Sequence, residues 1–307
     1  MRCVSSVHTP MNGVSMSSLP RSRALRRGCA LALCLLPSLG FAITDGEETT
    51  VETAPFAVGI WKVEAGTYPE LLCGGVLIAP QWVLTGAACA KPFASGTSLQ
   101  NLKVVIATTN MGAPMASQNT LTVAKVFIHP ELEKTTATNN NAALLKLSKS
   151  FTPSKRAGPI DLATDAETTL ALTQQLNLTA VGWGSPGEEL PLRSPDNNLR
   201  RIAVTLSPQS ECKAKLGATS YVEATMLCVL PDRRETQRMG DMCNGDLGAP
   251  LFATHATFKT GAQFIPKTKL IGISSWGKGC ARPGVPSAYA SASKLAPWIT
   301  STMAANK

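Results

Sequence analysis

Short apolar runs recur along this chain, separated by clusters of Gly, Pro and Asn. Stretches rich in Val, Ile, Leu and Thr run from Phe56 to Val63, Gly75 to Ile78, Trp82 to Thr85, Leu102 to Ala107, Leu121 to Ile128, Leu144 to Leu147, Leu176 to Val181, Arg201 to Leu206 and Leu270 to Ser274. β-Branched residues in runs of this length, bounded by turn formers, predict strands, and so many of them predict an all-β barrel or sandwich protein. Helical periodicity is scarce. It predicts a C-terminal helix over 293–303, with Ser293 as cap, Pro297 in the first turn, and Leu295, Trp298, Ile299 and Met303 toward the body. A second short helix is predicted from Ser207-Pro208 to Lys215. The Pro-rich stretch Phe151 to Asp161 reads as a connector between two halves, and Ser185 to Asn198 as a loop.

Composition adds that the chain is globular: 44% of its 307 residues are hydrophobic and 16% charged. The formal charge of +9 comes largely from the N-terminus. The first 42 residues hold Arg2, Arg21, Arg23, Arg26 and Arg27 and no acid, so the remainder carries 24 basic against 20 acidic residues. Nothing in that balance calls for nucleic acid. The same 42 residues predict an export signal. A basic stretch precedes an apolar run from Cys29 to Ala42, and the small residues Gly40 and Ala42 stand where a leader would be cut before Ile43. The run is interrupted by a proline and is short for a membrane span. Met11 and Met16 are alternative starts.

Beyond the leader the cysteines are Cys73, Cys89, Cys212, Cys228, Cys243 and Cys280. An even set in an exported chain predicts three disulfides and an oxidising compartment, secreted or periplasmic. No CxxC spacing occurs among them, so no metal site is expected, and no cofactor motif is present.

Five blocks then carry a resemblance. They are Cys73-Gly-Gly-Val-Leu-Ile-Ala-Pro-Gln-Trp-Val-Leu-Thr-Gly-Ala-Ala-Cys89, Asn140-Asn-Ala-Ala-Leu-Leu-Lys-Leu147, Val181-Gly-Trp-Gly184, Asp241-Met-Cys-Asn-Gly-Asp-Leu-Gly-Ala-Pro-Leu251 and Ile273-Ser-Ser-Trp-Gly-Lys-Gly-Cys280, with Trp298-Ile299 after them. In this order and spacing they resemble the chymotrypsin/trypsin-like serine protease family. The resemblance implies two six-stranded antiparallel β-barrels with a cleft between them. The first barrel would span about 43–155, the second about 156–292, and a short helix about 293–303. It also implies the pairs Cys73–Cys89, Cys212–Cys228 and Cys243–Cys280.

Peptide hydrolysis on this fold uses a serine nucleophile, a histidine base and an aspartate that orients it. The matching positions here are Ala88, Asn141 and Leu247, none of which can do that work. Of the two histidines beyond the leader, His129 matches a structural His-Pro of the family, and His255 follows the degenerate serine block. Both are expected to be structural. The expected reading is a degenerate family member, a pseudoprotease.

Other parts of the site persist. Asp241 matches the base of the specificity pocket, with Ser275, Trp276, Gly277 and Gly284 as walls. The resemblance implies that Asp241 meets a Lys or Arg side chain of a ligand; alternatively it is solvated, or pairs with Arg233, Arg234 or Arg238. Pro286 stands where a tyrosine is usual. Gly245 and Leu247 match the oxyanion-hole amides. Leu247 itself either occupies the space of a substrate carbonyl or makes the cleft floor apolar. Ile43 and Asp246 match the activation pair, in which a new N-terminal ammonium meets a buried carboxylate; alternatively Ile43 begins a frayed terminus. Asn177-Leu-Thr179 fits a glycosylation sequon.

The expected function is therefore binding of a peptide or protein, of a protease or of its inhibitor, without catalysis. The alternatives are an endopeptidase using a non-standard mechanism, and a structural exported domain whose cleft is irrelevant.

Overall fold

The computed structural model describes residues 43–44, 46–95, 97–112, 119–136, 138–185, 197–232, 240–255 and 267–307. The expected leader and Arg233, Arg234 and Arg238 lie outside these residues.

The chain enters as a two-residue strand, β1 (Glu47–Glu48). Six strands then form a barrel: β2 (Ala57–Lys62), β3 (Glu70–Ala79), β4 (Trp82–Thr85), β5 (Leu102–Val105), β6 (Thr120–Ile128) and β7 (Ala143–Leu147). Their hydrogen-bonded order, β2-β3-β4-β7-β6-β5, closes with β5 back on β2. The reason is the composition of the runs. Val58, Ile60, Val76, Leu84, Val104 and Leu144 are β-branched or leucine, and their burial together fills the barrel. A one-turn helix, α1 (Ala87–Ala90), follows β4.

After the connector come a short strand β8 (Asp161–Leu162) and a helix α2 (Asp165–Thr173). The helix starts at a reciprocal cap. The Glu167 amide donates to Thr164 Oγ1 at 3.2 Å, and the Thr164 amide donates to Glu167 Oε2 at 2.7 Å. The second barrel holds β9 (Leu178–Gly182), β10 (Arg200–Leu206), β11 (Met226–Pro231), β12 (Pro250–His255), β13 (Lys267–Trp276) and β14 (Ser287–Ser291), with helix α3 (Gln209–Leu216) between β10 and β11. The order β10-β11-β14-β13-β12-β9 closes through the β9–β10 pairing. The fold is thus two six-stranded antiparallel barrels ended by a helix, α4 (Ala292–Ala305).

Three details differ from expectation. β1 pairs with β10, so the first described residues belong to the second barrel's sheet. Arg200, buried on β10, fixes that crossing by donating to the Gly46 carbonyl at 3.0 Å and to Glu48 at 2.9 Å. Helix α4 is capped at Ser291 rather than Ser293, which puts Pro297 inside the helix. Finally, α2 lies between the expected connector, which ends at Asp161, and the expected strand from Leu176, where the sequence predicts no element.

Disulfides join Cys73 to Cys89, Cys212 to Cys228 and Cys243 to Cys280. Among the described residues no helix is long and apolar enough to cross a membrane, and no group of three or more His, Cys, Asp or Glu gathers as a metal site.

Candidate functional site

The two barrels press together where β3, α1 and the 243–249 turn meet. The Gly74 amide on β3 donates to the Leu247 carbonyl at 3.0 Å, and the Gly248 amide donates to Ser274 on β13 at 2.8 Å. Gly248 has φ +80, and a β-carbon there would stand 2.5 Å from the Gly86 nitrogen. Only glycine fits both the left-handed backbone and that approach.

Ala88, Asn141 and Leu247 share this corner. The Ala88 amide donates to Asn141 Oδ1 at 3.3 Å, and Asn141 Nδ2 donates to the Ser275 carbonyl at 3.4 Å and hydroxyl at 3.3 Å. Asn141 therefore ties α1 of the first barrel to β13 of the second. Leu247 packs over Gly86, the residue before α1; a β-carbon on Gly86 would lie 2.7 Å from Leu247 Cγ. A leucine at 247 is thus matched by a glycine at 86. Gly86 is a determinant that sequence reading passed over.

The described histidines are engaged elsewhere. His129 is buried with its ring 4.7 Å from that of Trp298, and its Nδ1 accepts from the Glu131 amide at 3.1 Å. Burial lowers its pKa. His255 ends β12 and lines a separate open groove with Gln175 and Asn177. Asn177 of the sequon is exposed there, directly before β9.

A cleft cavity of about 610 Å³ opens beside Leu247. Leu247 is part of its lining rather than a plug, and Leu72, Gly245, Ser275, Trp276 and Gly277 line it too. Gly245 has φ +93. Among the described residues neither the Gly245 nor the Leu247 amide donates to a backbone acceptor.

Gly284 is a correction. It sits in the exposed turn 281–285 with nothing within 4 Å of where its β-carbon would be. The residue that lines the cavity from this segment is Ser287, at the start of β14. The tyrosine expected at 286 is likewise found farther on: Tyr289 is fully buried on β14. The turn is exposed at 282–284, and the strand begins only at Ser287.

Asp241 also differs from expectation, because it is not on the cavity's lining. It is 8% exposed, and three donors satisfy it internally. Oδ1 accepts from the Met242 amide at 2.8 Å and the Ser287 hydroxyl at 2.5 Å, and Oδ2 accepts from the Ala281 amide at 3.0 Å. Burial raises its pKa against these bonds.

Asp246 is fully buried. Oδ1 accepts from the Gly184 amide at 2.7 Å and Oδ2 from the Cys243 amide at 3.1 Å. Gly182 and Gly184 make its space, since a side chain on either would run into the carboxylate. Burial pushes its pKa up to about 7 against those two bonds. The expected ion pair with Ile43 is not formed. Ile43 is fully buried in this seat, but as an internal residue whose amide, not an ammonium, donates to the Gly184 carbonyl at 3.2 Å.

Comparison with known proteins fits this geometry. The family model described as Trypsin matches residues 43–299. Trypsin-1 of Astacus astacus is 28% identical over 260 residues, covering 84% of this chain and 98% of that protein. The tissue-type plasminogen activator of Mus musculus is 29% identical over 265 residues, covering 86% of this chain and 45% of that protein. The vitamin K-dependent protein C of Oryctolagus cuniculus is 31% identical over 264 residues, covering 84% and 52%. With two closed barrels, three disulfides and a match over residues 43–299, this protein belongs to the trypsin family.

Proposed function

We propose that this protein is an exported, non-catalytic member of the trypsin family that binds a peptide or protein in its interbarrel cleft. The observation that carries this reading is the corner of Ala88, Asn141 and Leu247. Hydrolysis needs a nucleophilic atom, a base to take its proton and a charge to hold the base. The three side chains are a methyl, an amide and an isobutyl group. Asn141 spends its oxygen on the Ala88 amide and its nitrogen on Ser275. His129 and His255, the histidines among the described residues, have surroundings of their own, and neither stands in for a base at 88 in this reading.

Binding is supported by what stays open. The cavity persists beside Leu247, and the Gly245 and Leu247 amides offer donors to a ligand carbonyl. Residues 1–42 act as a leader in this reading, and 43–307 as the mature domain. In this reading, removal of the leader turns the Ile43 amide, which donates to the Gly184 carbonyl, into an ammonium that can pair with Asp246. The disulfides suit a secreted or periplasmic location.

The test uses a serine-directed fluorophosphonate and a panel of peptide amides on the chain beginning at Ile43. The wild type should show neither labelling nor turnover. The triple variant A88H/N141D/L247S should be labelled at position 247. Wild-type labelling at any serine, or turnover abolished by the same reagent, would overturn the reading.

A further inference from the structure

We propose that Ser287 closes the specificity pocket above Asp241, so that the cleft takes a short, uncharged side chain and rejects lysine and arginine. The inference rests on the cleft being a binding site, and it reverses the ligand chemistry that Asp241 alone implies.

The geometry is direct. The Ser287 hydroxyl donates to Asp241 Oδ1 at 2.5 Å and lines the cavity, while Asp241 does not. The same oxygen lies 3.4 Å from where a β-carbon on Gly277 would be. Gly277 is the facing wall, so the hydroxyl reaches across the slot from β14 to that wall. A cationic side chain entering between the two walls meets the serine oxygen before it meets the carboxylate.

Energetics point the same way. The Met242 and Ala281 amides and the Ser287 hydroxyl already hold Asp241. A ligand cation would have to displace the serine's bond and be desolvated against a carboxylate it cannot touch, and a buried unpaired cation is strongly disfavoured. What the slot shows instead is the Ser287 oxygen, whose hydrogen is committed to Asp241 and whose lone pairs remain, with Met242 and Gly277 beside it. That surface suits a side chain of the size of alanine, serine or valine.

The probes are benzamidine, which reads the pocket without requiring a peptide, and a set of acetylated tetrapeptide amides differing only in one residue, Ala, Val, Lys or Arg. Binding is measured by calorimetry on the intact domain. Wild type is expected to bind benzamidine at least tenfold more weakly than S287G, and the gain should vanish in S287G/D241N. Should S287G fail to fold, S287A gives the same readout with the strand's β-carbon kept. Two results would overturn the proposal: wild type binding benzamidine as tightly as S287G, or a folded S287G or S287A that gains nothing. Among the peptides, preference for Lys or Arg over Ala by wild type would also sink it. If no peptide binds at all while the benzamidine pattern holds, the pocket assignment stands and the peptide-binding function falls.

Discussion

Asn141 and Asp246 are both buried polar residues on the interbarrel side, and their circumstances are opposite. Asn141 is neutral, and its oxygen and nitrogen are both engaged by Ala88 and Ser275. Asp246 is a carboxyl with two amide donors, full burial and a pKa raised to about 7. In the corner around Asn141 both ends of its amide are bonded, and Leu247 packs over Gly86. The seat around Asp246 is complete only if a positive charge arrives.

The largest effect expected from this contrast follows leader removal. With residues 1–42 attached, the folded protein keeps a proton on Asp246 up to about pH 7, whereas the unfolded chain releases it near the ordinary value of 3.8. Between those values the folded state binds more protons, so stability falls as pH rises from about 4 to 7. A chain beginning at Ile43 supplies the ammonium and should not lose stability across that window. Thermal melts of the two forms should diverge by about 5 °C or more at pH 7, given roughly 2–4 °C per kcal/mol for a domain of this size, and converge near pH 4. Parallel melts would remove Ile43–Asp246 pairing from the account.

A middle-sized effect tests the matched corner. Gly86→Ala forces a β-carbon to within 2.7 Å of Leu247 Cγ and should cost about 1–3 kcal/mol in urea unfolding, the usual range for overpacking. In a Leu247→Ala background the same change should cost much less, with coupling of at least about 1 kcal/mol. Additive costs would mean that residues 86 and 247 are not adapted to each other.

The smallest effect concerns Asn141. Asn141→Ala leaves the Ala88 amide and Ser275 without partners and should cost about 1–2 kcal/mol, with no pH dependence between 5 and 8 since no charge is involved. A pH-dependent loss would place a titrating group in this corner that the present geometry lacks.

Much of the fold is legible in the sequence because strand runs and turn formers alternate so regularly. The run Trp82 to Thr85 coincides with β4, and Arg201 to Leu206 lacks only the first residue of β10. Helix α2 was hidden because its amphipathic contrast is weak. Its signal was the Thr164-x-x-Glu167 cap, a local motif rather than a periodic one. At the site, the contiguous blocks placed Ala88, Leu247 and the Ser275–Gly277 wall without difficulty. The segment after Cys280 misled, since Pro283-Gly284 looks like the pocket wall while the turn that contains it projects outward. Counting back from the fixed point at Trp298 would have set Tyr289 and Ser287 in register. That Ser287 reaches Asp241 is a three-dimensional fact with no sequence signature.

The crossing of β1 to β10 also sets an order of events. Gly46 and its anchor Arg200 are 154 residues apart in sequence. The first barrel draws its strands from a contiguous stretch and can close as that stretch becomes available. The second barrel's edge must wait for a partner made long before it, and closing so long a loop is slow. The pairing of β1 with β10 is therefore expected to form after the first barrel has closed.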